Sequence, residues 1–236
     1  QLYLLELLKP LQKEYFENSN RCMKIAEIEL YFSDVISWEN MKCFQREIKK
    51  SPDLFAEMIS ILYRKEDTES KVRELTEEEQ HYIKGIYNLF DKAKFCPAEI
   101  NGEVEEDQLR KWIERLELLL KKNKQSSLLS SLLGRVFAYS PVGKDKHMPC
   151  EAVRKMIEIY ADDGLISEYQ VSTFNERGMH GFSAGKEELQ IAEKFKDNAD
   201  YLSMKYPRTA EIYYGLYHNY KADAVSERER AENGWS

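Results

Sequence analysis

Glycine and proline are scarce in this chain, with 10 Gly and 6 Pro among 236 residues. Both residues interrupt regular structure, because Gly is conformationally free and Pro lacks a backbone donor. Leu, Glu, Lys, Ile and Tyr fill the long stretches between them, a usage typical of helices that pack through an apolar stripe. Convincing apolar-polar alternation is also absent, and only "YQVSTF" resembles a strand. We therefore predict an all-α protein.

Long apolar runs and an excess of positive charge are also missing. No run approaches the roughly 18 residues needed to cross a bilayer, and no signal-peptide pattern opens the chain. The 42 acidic and 35 basic residues are interleaved and give a net charge of -7, which does not attract a nucleic-acid backbone. Four cysteines are too few for a disulfide scaffold. We expect reduced thiols, a cytoplasmic location, and neither a membrane nor a nucleic-acid partner.

The distribution of apolar and charged residues predicts two helical parts. Residues 1–66 form the N-terminal part, 67–75 a charged linker or loop, and 76–236 a C-terminal part that packs against the first. The chain opens at Gln1 inside an apolar run without an initiating Met, from which we expect a piece of a longer protein. Short connections favour about nine to eleven helices in an irregular antiparallel bundle or an α-solenoid-like array.

Several short motifs predict where helices begin and end. Ser51-Pro52-Asp53 is a start signal, since Pro is favoured at the first helical position and an acid at the positive end of the dipole. Thr76 and Glu79 have the spacing of a capping box. Gly164 is expected to end a helix that opens after Pro149. Pro207 separates two strongly periodic segments, which predicts an antiparallel pair of helices.

Residues Gly181 to Gly185 match the G-x-S-x-G pattern of a serine hydrolase elbow, with Ser183 as the nucleophile. That elbow needs a strand before it and a histidine after it. The preceding "STFNERGMH" contains polar turn formers, and His218 is the only later histidine. We interpret Ser183 as a loop residue near the cap of a helix that begins at Lys186, and we predict that the chain is not an enzyme.

The loop before Pro149 contains the best candidates for a small ligand. Lys144, Lys146 and His147 precede a predicted helix N-terminus, whose free amides favour anions. His147-x-x-Cys150 also supplies two zinc ligands, but a structural zinc site needs four. Completing it would require residues such as Cys96 and His180, so no metal and no cofactor are expected.

Tyrosine is abundant, with 15 residues, and large aromatic side chains are favoured in cores and at interfaces. Most tyrosines of the last two helical segments fall on the apolar stripe. Tyr214 lies off it, so Tyr214 and Tyr217 are a possible partner surface. Asn175, Arg177, Gly178 and Arg208 are expected at structural corners, where the two arginines bond free carbonyls at helix ends.

From about residue 100 the chain resembles the C-terminal region of a group of large, mostly uncharacterised bacterial proteins with helical repeats. The features that carry the resemblance are "NGEVEEDQLRKWIE", "GRVFAYSPVGKDKHMPCEAVRKMIE", Asn175-Glu-Arg177-Gly178, "ELQIAEKFKDNA" and Pro207-Arg208-Thr-Ala210. Met148 stands where an aromatic residue is usual. The resemblance implies a C-terminal helical module in a bacterial multidomain protein, and it implies no activity.

Two functions from different classes follow. The first is a non-catalytic helical scaffold that binds a partner protein or other domains of the same chain. The second is a ligand-sensing or catalytic domain with a site in the 140–185 loops. A flat or concave apolar surface would favour the first, and a deep pocket with convergent polar groups would favour the second.

Overall fold

The computed structural model describes residues 2–63, 75–176 and 185–232. Over these ranges the protein is all-α, as predicted, with eleven α-helices and two short 3-10 turns at Trp38–Asn40 and Ser126–Leu128. Strand β1 (Glu99–Ile100) and strand β2 (Glu103–Val104) flank a turn at Asn101 and Gly102. None of the described helices combines the length and the apolar character needed to cross a membrane.

The chain divides into two compact units. Unit 1 comprises Gln1–Asn101 and Asp107–Leu129, and unit 2 comprises Gly102–Glu106 and Ser130–Ser236. The helices in chain order are α1 Leu2–Tyr15, α2 Ser19–Tyr31, α3 Lys42–Lys50, α4 Asp53–Leu62, α5 Glu77–Lys92, α6 Glu106–Lys122, α7 Leu129–Phe137, α8 Glu151–Tyr160, α9 Asp163–Glu176, α10 Lys186–Leu202 and α11 Pro207–Glu232.

Aromatic side chains form the core of unit 1. Phe55 of α4 stacks on Phe90 of α5, with ring centroids 6.2 Å apart, and also contacts Phe95 and Trp112. Trp112 is buried, and its indole N–H donates to the Ile48 carbonyl at 3.0 Å. Because α4, α5 and α6 share this cluster, they belong to one unit.

This packing bears on the expected boundary at 67–75. Residues 64–74 lie outside the described residues, but the helices on both sides of them, α4 and α5, pack together in unit 1. The two compact units separate instead near Ser130. A charged, apolar-poor segment joins two packed helices as readily as it joins two domains, and composition alone does not distinguish these cases.

Close helix crossings and aromatic rings hold unit 2 together. Phe195 of α10 packs its ring against Tyr213 and Tyr220 of α11, with centroids 5.9 and 5.4 Å apart. A Cβ added at Gly134 of α7 would lie 2.3 Å from the Leu165 carbonyl oxygen of α9. Only a residue without a side chain permits that approach.

Local start signals agree with the structure where the capping group is close in sequence. Thr76 accepts from the Glu79 amide, and the Glu79 carboxylate accepts from the Thr76 amide, which is the predicted capping box. Helix α4 begins at Asp53, and α10 and α11 meet around Pro207. Pro10 lies inside α1, which continues through it.

One local expectation was wrong. Gly164 does not end α8, which stops at Tyr160, and it lies instead in the first turn of α9. The Asp162 carboxylate there accepts from the Leu165 amide at 2.9 Å and caps α9. The strand-like "YQVSTF" lies within α9, because a six-residue alternation is outweighed by the tertiary packing of the helix around it.

Candidate functional site

The candidate site is built around residues 141–149, which connect α7 to α8 in unit 2 and which we call the histidine loop. The loop folds on itself: the Gly143 amide donates to the His147 carbonyl at 2.8 Å, and the Lys146 amide donates to the Gly143 carbonyl at 2.9 Å. Lys146 adopts a left-handed conformation with φ +68°. The Met148-Pro149 peptide bond at its end is cis.

A buried arginine from α8 fixes this loop. Arg154 is 1% exposed and makes two bonds to the Asp145 carboxylate, at 2.6 and 2.9 Å. It also donates to the His147 carbonyl at 2.6 Å. Paired bonds between a guanidinium and a carboxylate fix orientation as well as distance. The hydrogen bonds from Arg154 hold the pKa of Asp145 well below its usual range.

The charges around Arg154 disfavour the anion contact that was predicted at Lys144 and Lys146. A Cβ added at Gly143 would lie 3.0 Å from Nη2 of Arg154 and 3.0 Å from Oε1 of Glu151, so both side chains crowd the loop there. Asp145 and Glu151 thus place carboxylates beside the arginine. Nζ of Lys144 lies 3.6 Å from the exposed Glu103 carboxylate. Protein carboxylates therefore already neutralise this region, which disfavours an additional anion.

His147 attaches the loop to α10. Its ring stacks on Tyr201, with centroids 3.6 Å apart and planes within 6°. Its Nδ1 lies 3.0 Å from Oδ1 of Asn198. Asn198 also accepts from the Met148 amide at 3.2 Å and donates to the Met148 carbonyl at 2.6 Å. These contacts give the loop a second anchor, independent of Arg154.

Three large apolar side chains are exposed at this anchor, and we call them the methionine surface: Met148, Tyr201 and Met204. Their exposed fractions are 36%, 54% and 94%. Tyr201 lies in the last turn of α10, and Met204 lies three residues further on, in the turn after the helix ends at Leu202. The sequence had singled out the histidine loop, but not Tyr201 and Met204.

The zinc ligands considered from the sequence have other partners. Nδ1 of His147 is engaged by Asn198, and Sγ of Cys150 accepts from the Ser140 hydroxyl at 3.3 Å. His180 lies outside the described residues. Within the described ranges, no group of three or more His, Cys, Asp or Glu side chains is arranged to hold a metal ion.

Tyr214 and Tyr217 are half-buried on α11, and their hydroxyls have partners in unit 2. The Tyr214 hydroxyl donates to Asp200 of α10 at 2.7 Å, and Asp200 also pairs with Lys196 at 2.7 Å. Lys221 donates to the Tyr217 hydroxyl at 3.1 Å. Tyr214 therefore helps to join α10 to α11, and a partner surface at these two tyrosines stays a prediction.

The predicted structural corner is only partly described. Asn175 lies in the last turn of α9, whereas Arg177, Gly178 and the Gly181–Gly185 motif up to residue 184 lie outside the described residues. The guanidinium of Arg208 lies 3.1 Å from Glu211 on the exposed side of α11. Glu211 is one turn from Arg208 on the same face, and the expected bond from Arg208 to a helix-end carbonyl stays a prediction.

Glu158 of α8 is the residue that secures this corner. Its carboxylate accepts from the amides of Arg208 at 3.1 Å and Thr209 at 2.9 Å, and from the Thr209 hydroxyl. A carboxylate at the positive end of α11 satisfies amides that have no partner within the helix. The residue lies about 50 positions earlier in the chain, so local sequence patterns could not identify it.

Arg154 was also missed, although its position carried a signal. It follows Val153 and lies three residues before Ile157, both of which are buried in α8. An arginine within the apolar arc of a helix needs a buried partner carboxylate. That reasoning would have indicated a pair with one of the acids in the preceding loop.

No protein-family model, curated protein or solved structure matches this chain. A fold class alone does not identify a function, since one architecture supports many activities. The function therefore has to be argued from the histidine loop and the surfaces that the helices expose.

Proposed function

We propose that this chain is a non-catalytic helical module that binds another protein through the methionine surface. The observation that carries the proposal is the almost complete exposure of Met204, at 94%, beside the exposed Tyr201. Methionine and tyrosine are enriched at protein interfaces, where a flexible thioether and a flat ring adapt to a partner. Both lie in the described part of unit 2, and the Tyr201 ring stacks on His147 of the histidine loop.

The anchoring of the histidine loop supports binding. Arg154 holds the loop from α8, and Asn198 holds it from α10. A surface that is already ordered loses less conformational entropy when it binds. The loop thus presents Met148 in a fixed position relative to Tyr201.

The same contacts favour binding over catalysis in the histidine loop. Asp145 is engaged by Arg154, and His147 is stacked and bonded to Asn198. A general acid or base needs a group that can reach a substrate proton. The charged groups of the loop instead hold its structure.

The resemblance from residue 100 onward favours a module that works within a larger bacterial protein, and its ligand would then be a partner or another domain of that protein. The four cysteines are all free and buried, as suits a reducing compartment. A cytoplasmic location is part of the proposal on that ground.

Met204→Glu tests the proposal, with Val225→Glu on α11 as its matched control. Both positions are exposed apolar sites in unit 2, at 94% and 49%, so both variants should keep the wild-type melting temperature. Partners are captured from the native cell extract by the wild-type chain and quantified by mass spectrometry. We expect a specific partner that Val225→Glu retains and Met204→Glu loses. Equal capture by both variants would contradict the proposal.

A further inference from the structure

A second exposed aromatic surface lies in unit 1, on the outer side of α2. Glu27 and Ile28 lie four and three residues before Tyr31, so both neighbour Tyr31 on one side of the helix. Tyr31 is 66% exposed and Ile28 is 41% exposed. The opposite side of α2 is buried through Cys22, Ala26 and Leu30. The side that carries Tyr31 is therefore a surface that the described packing leaves open.

Neighbouring rings hold Tyr31 in place. Phe32 packs its edge against the Tyr31 ring at 5.0 Å, with the planes at 88°. Tyr82 of α5 brings its ring centroid to 6.0 Å, tilted by 38°. Tyr31 thus has fixed neighbours while two-thirds of its surface remains exposed. An aromatic face of this kind attracts cations through its quadrupole.

Glu27 is one turn before Tyr31 on the same face of α2, and the charge of Glu57 on α4 acts on both Glu27 and Tyr82. Burial, and then the charge of Glu27, raise the pKa of Glu57 on α4, so these two acids are close enough to repel. Burial, and then the charge of Glu57, raise the pKa of Tyr82. Within the described residues, no ion pair engages Glu27 or Glu57, although Lys24 lies one turn before Glu27 on α2. Side chains from α2, α4 and α5 thus contribute to a surface with negative charge.

We propose that this surface, formed by Glu27, Ile28, Tyr31, Glu57 and Tyr82, binds an arginine side chain carried by an apolar segment of a partner protein. A guanidinium can stack on the Tyr31 ring while its N–H groups donate to the carboxylates. An apolar neighbour of that arginine covers Ile28. The binding of a positive charge also relieves the repulsion between Glu27 and Glu57.

An arginine fits this chemistry better than a metal ion does. Calcium takes six to eight oxygen ligands, more than the two carboxylates of this surface supply, and the face of the Tyr31 ring and the Ile28 side chain offer no ligand atom. A lysine ammonium would also be attracted to the carboxylates. It is not planar, however, so it cannot stack on the Tyr31 ring while donating paired hydrogen bonds to a carboxylate. The inference does not depend on the methionine surface, which lies in unit 2.

The probe is a short peptide with one arginine between two leucines, and its matched control replaces the arginine with citrulline. Citrulline keeps the planar shape and most hydrogen-bond donors but carries no charge. The intact chain is labelled with 13C in its tyrosine rings and titrated by NMR. We expect saturable shifts of the Tyr31 and Tyr82 signals with a dissociation constant of about 1 mM or tighter. The citrulline peptide should bind at least about tenfold more weakly, and salt should weaken the arginine contact.

Variants of the chain complete the test. The double variant Glu27→Gln with Glu57→Gln should lose about tenfold in affinity, whereas Asp197→Asn, at an exposed carboxylate on α10 of unit 2, should leave it unchanged. The absence of saturable binding, equal binding of the citrulline peptide, or full affinity of the double variant would each overturn the proposal. Met204→Glu should bind the peptide normally, so failure here and failure of the proposed function remain distinguishable.

Discussion

At the scale of single residues, one buried charge organises the candidate site. Arg154 lies in the apolar interior of unit 2, where an isolated cation would be strongly destabilising. Asp145 supplies the compensating carboxylate, and the His147 carbonyl accepts a further bond. Because both partners of the buried Arg154 lie in the histidine loop, these bonds hold the loop in one conformation. The loop geometry should therefore respond to changes at Asp145 more than to changes at its exposed lysines.

Asp145→Asn should lower the free energy of unfolding by about 3 kcal/mol at neutral pH, because it leaves the Arg154 charge buried without its counter-charge. Urea denaturation of both proteins at pH 7 measures the difference. Asp197→Asn, an exposed acid on α10, serves as the control and should change stability by less than about 0.5 kcal/mol. Equal stability of wild type and Asp145→Asn would show that the pair does not hold the loop.

The same pair predicts a pH dependence. The folded-state pKa of Asp145 is depressed by the bonds from Arg154. Its stabilisation is therefore fully present above the ordinary aspartate pKa of about 3.9, and it is lost as the pH falls below that value. The gap between wild type and Asp145→Asn should accordingly narrow in acid. A gap that stays constant from pH 7 to about pH 2 would contradict this assignment.

Ser183 should not react with a fluorophosphonate probe, and Ser183→Ala should cost at most about 1 kcal/mol of stability. An activated serine needs a base within hydrogen-bond reach and donors aimed at an oxyanion. Ser183 itself lies outside the described residues, but α10 begins at Lys186 as predicted, so the motif is followed at once by a helix start. Labelling with the probe, followed by mass spectrometry, checks this. Stoichiometric labelling that disappears in His218→Ala would reverse the non-enzyme interpretation.

At the scale of elements, the sequence predicts a helix well when both its periodicity and its cap are local. The capping box of Thr76 and Glu79 was recognisable because three residues separate its members. The caps of α3 and α11 were not, because their carboxylates come from other helices. Glu29 of α2 accepts from the Phe44 amide at 2.6 Å, and Glu158 does the same for α11. Such pairings depend on tertiary packing, which no local pattern contains.

The candidate site was likewise predictable from the sequence only where its signals are local. Lys144, Lys146 and His147 marked the correct loop, since a polar segment before a proline-led helix start is a local signal. The residues that shape it, Arg154 and Asn198, lie on separate helices, and their role follows from contacts across 9 and 50 positions. The local pattern located the loop, and only the fold showed which side chains it presents.

The close contact between Gly185, at the start of α10, and Ala224 of α11 can be tested by substitution. Gly185 has φ +79°, and an added Cβ would lie 2.2 Å from the Ala224 carbonyl oxygen. Gly102 has a similar φ of +83°, but an added Cβ would meet nothing within 4 Å. Gly102→Ala should cost about 1 kcal/mol from backbone strain alone. Gly185→Ala should cost about 1 to 3 kcal/mol more, because α11 must also move.

Denaturant unfolding of the two alanine variants separates backbone strain from close packing. A larger loss for Gly185→Ala is the expected outcome, accompanied by shifts in the NMR signals around Ala224. Equal losses in the two variants would show that the approach of the Gly185 backbone to α11 is unimportant for stability.

At the scale of the whole molecule, each unit presents its own aromatic surface in a different electrostatic setting. In unit 2, Tyr201 of the methionine surface stacks on His147, within a loop where Arg154 pairs with Asp145. In unit 1, Tyr31 lies beside Glu27 and Glu57, which have no cationic partner among the described residues. Apolar contact therefore dominates at the methionine surface, and charge dominates at the Tyr31 surface of unit 1. High salt should weaken binding at the Tyr31 surface much more than binding at the methionine surface.

The four cysteines provide the last prediction, because they link the fold to the proposed compartment. All four are buried and free. Burial, and then the neighbouring Cys22 thiol, raise the pKa of the Cys43 thiol, so its reactive thiolate form is scarce at neutral pH. Helix packing rather than covalent linkage then supplies the stability of both units. We expect a melting temperature that is the same with and without dithiothreitol, and thiols that react with Ellman's reagent only after unfolding. A drop of more than about 5 °C on reduction would reveal a stabilising disulfide and contradict the cytoplasmic proposal together with the packing argument.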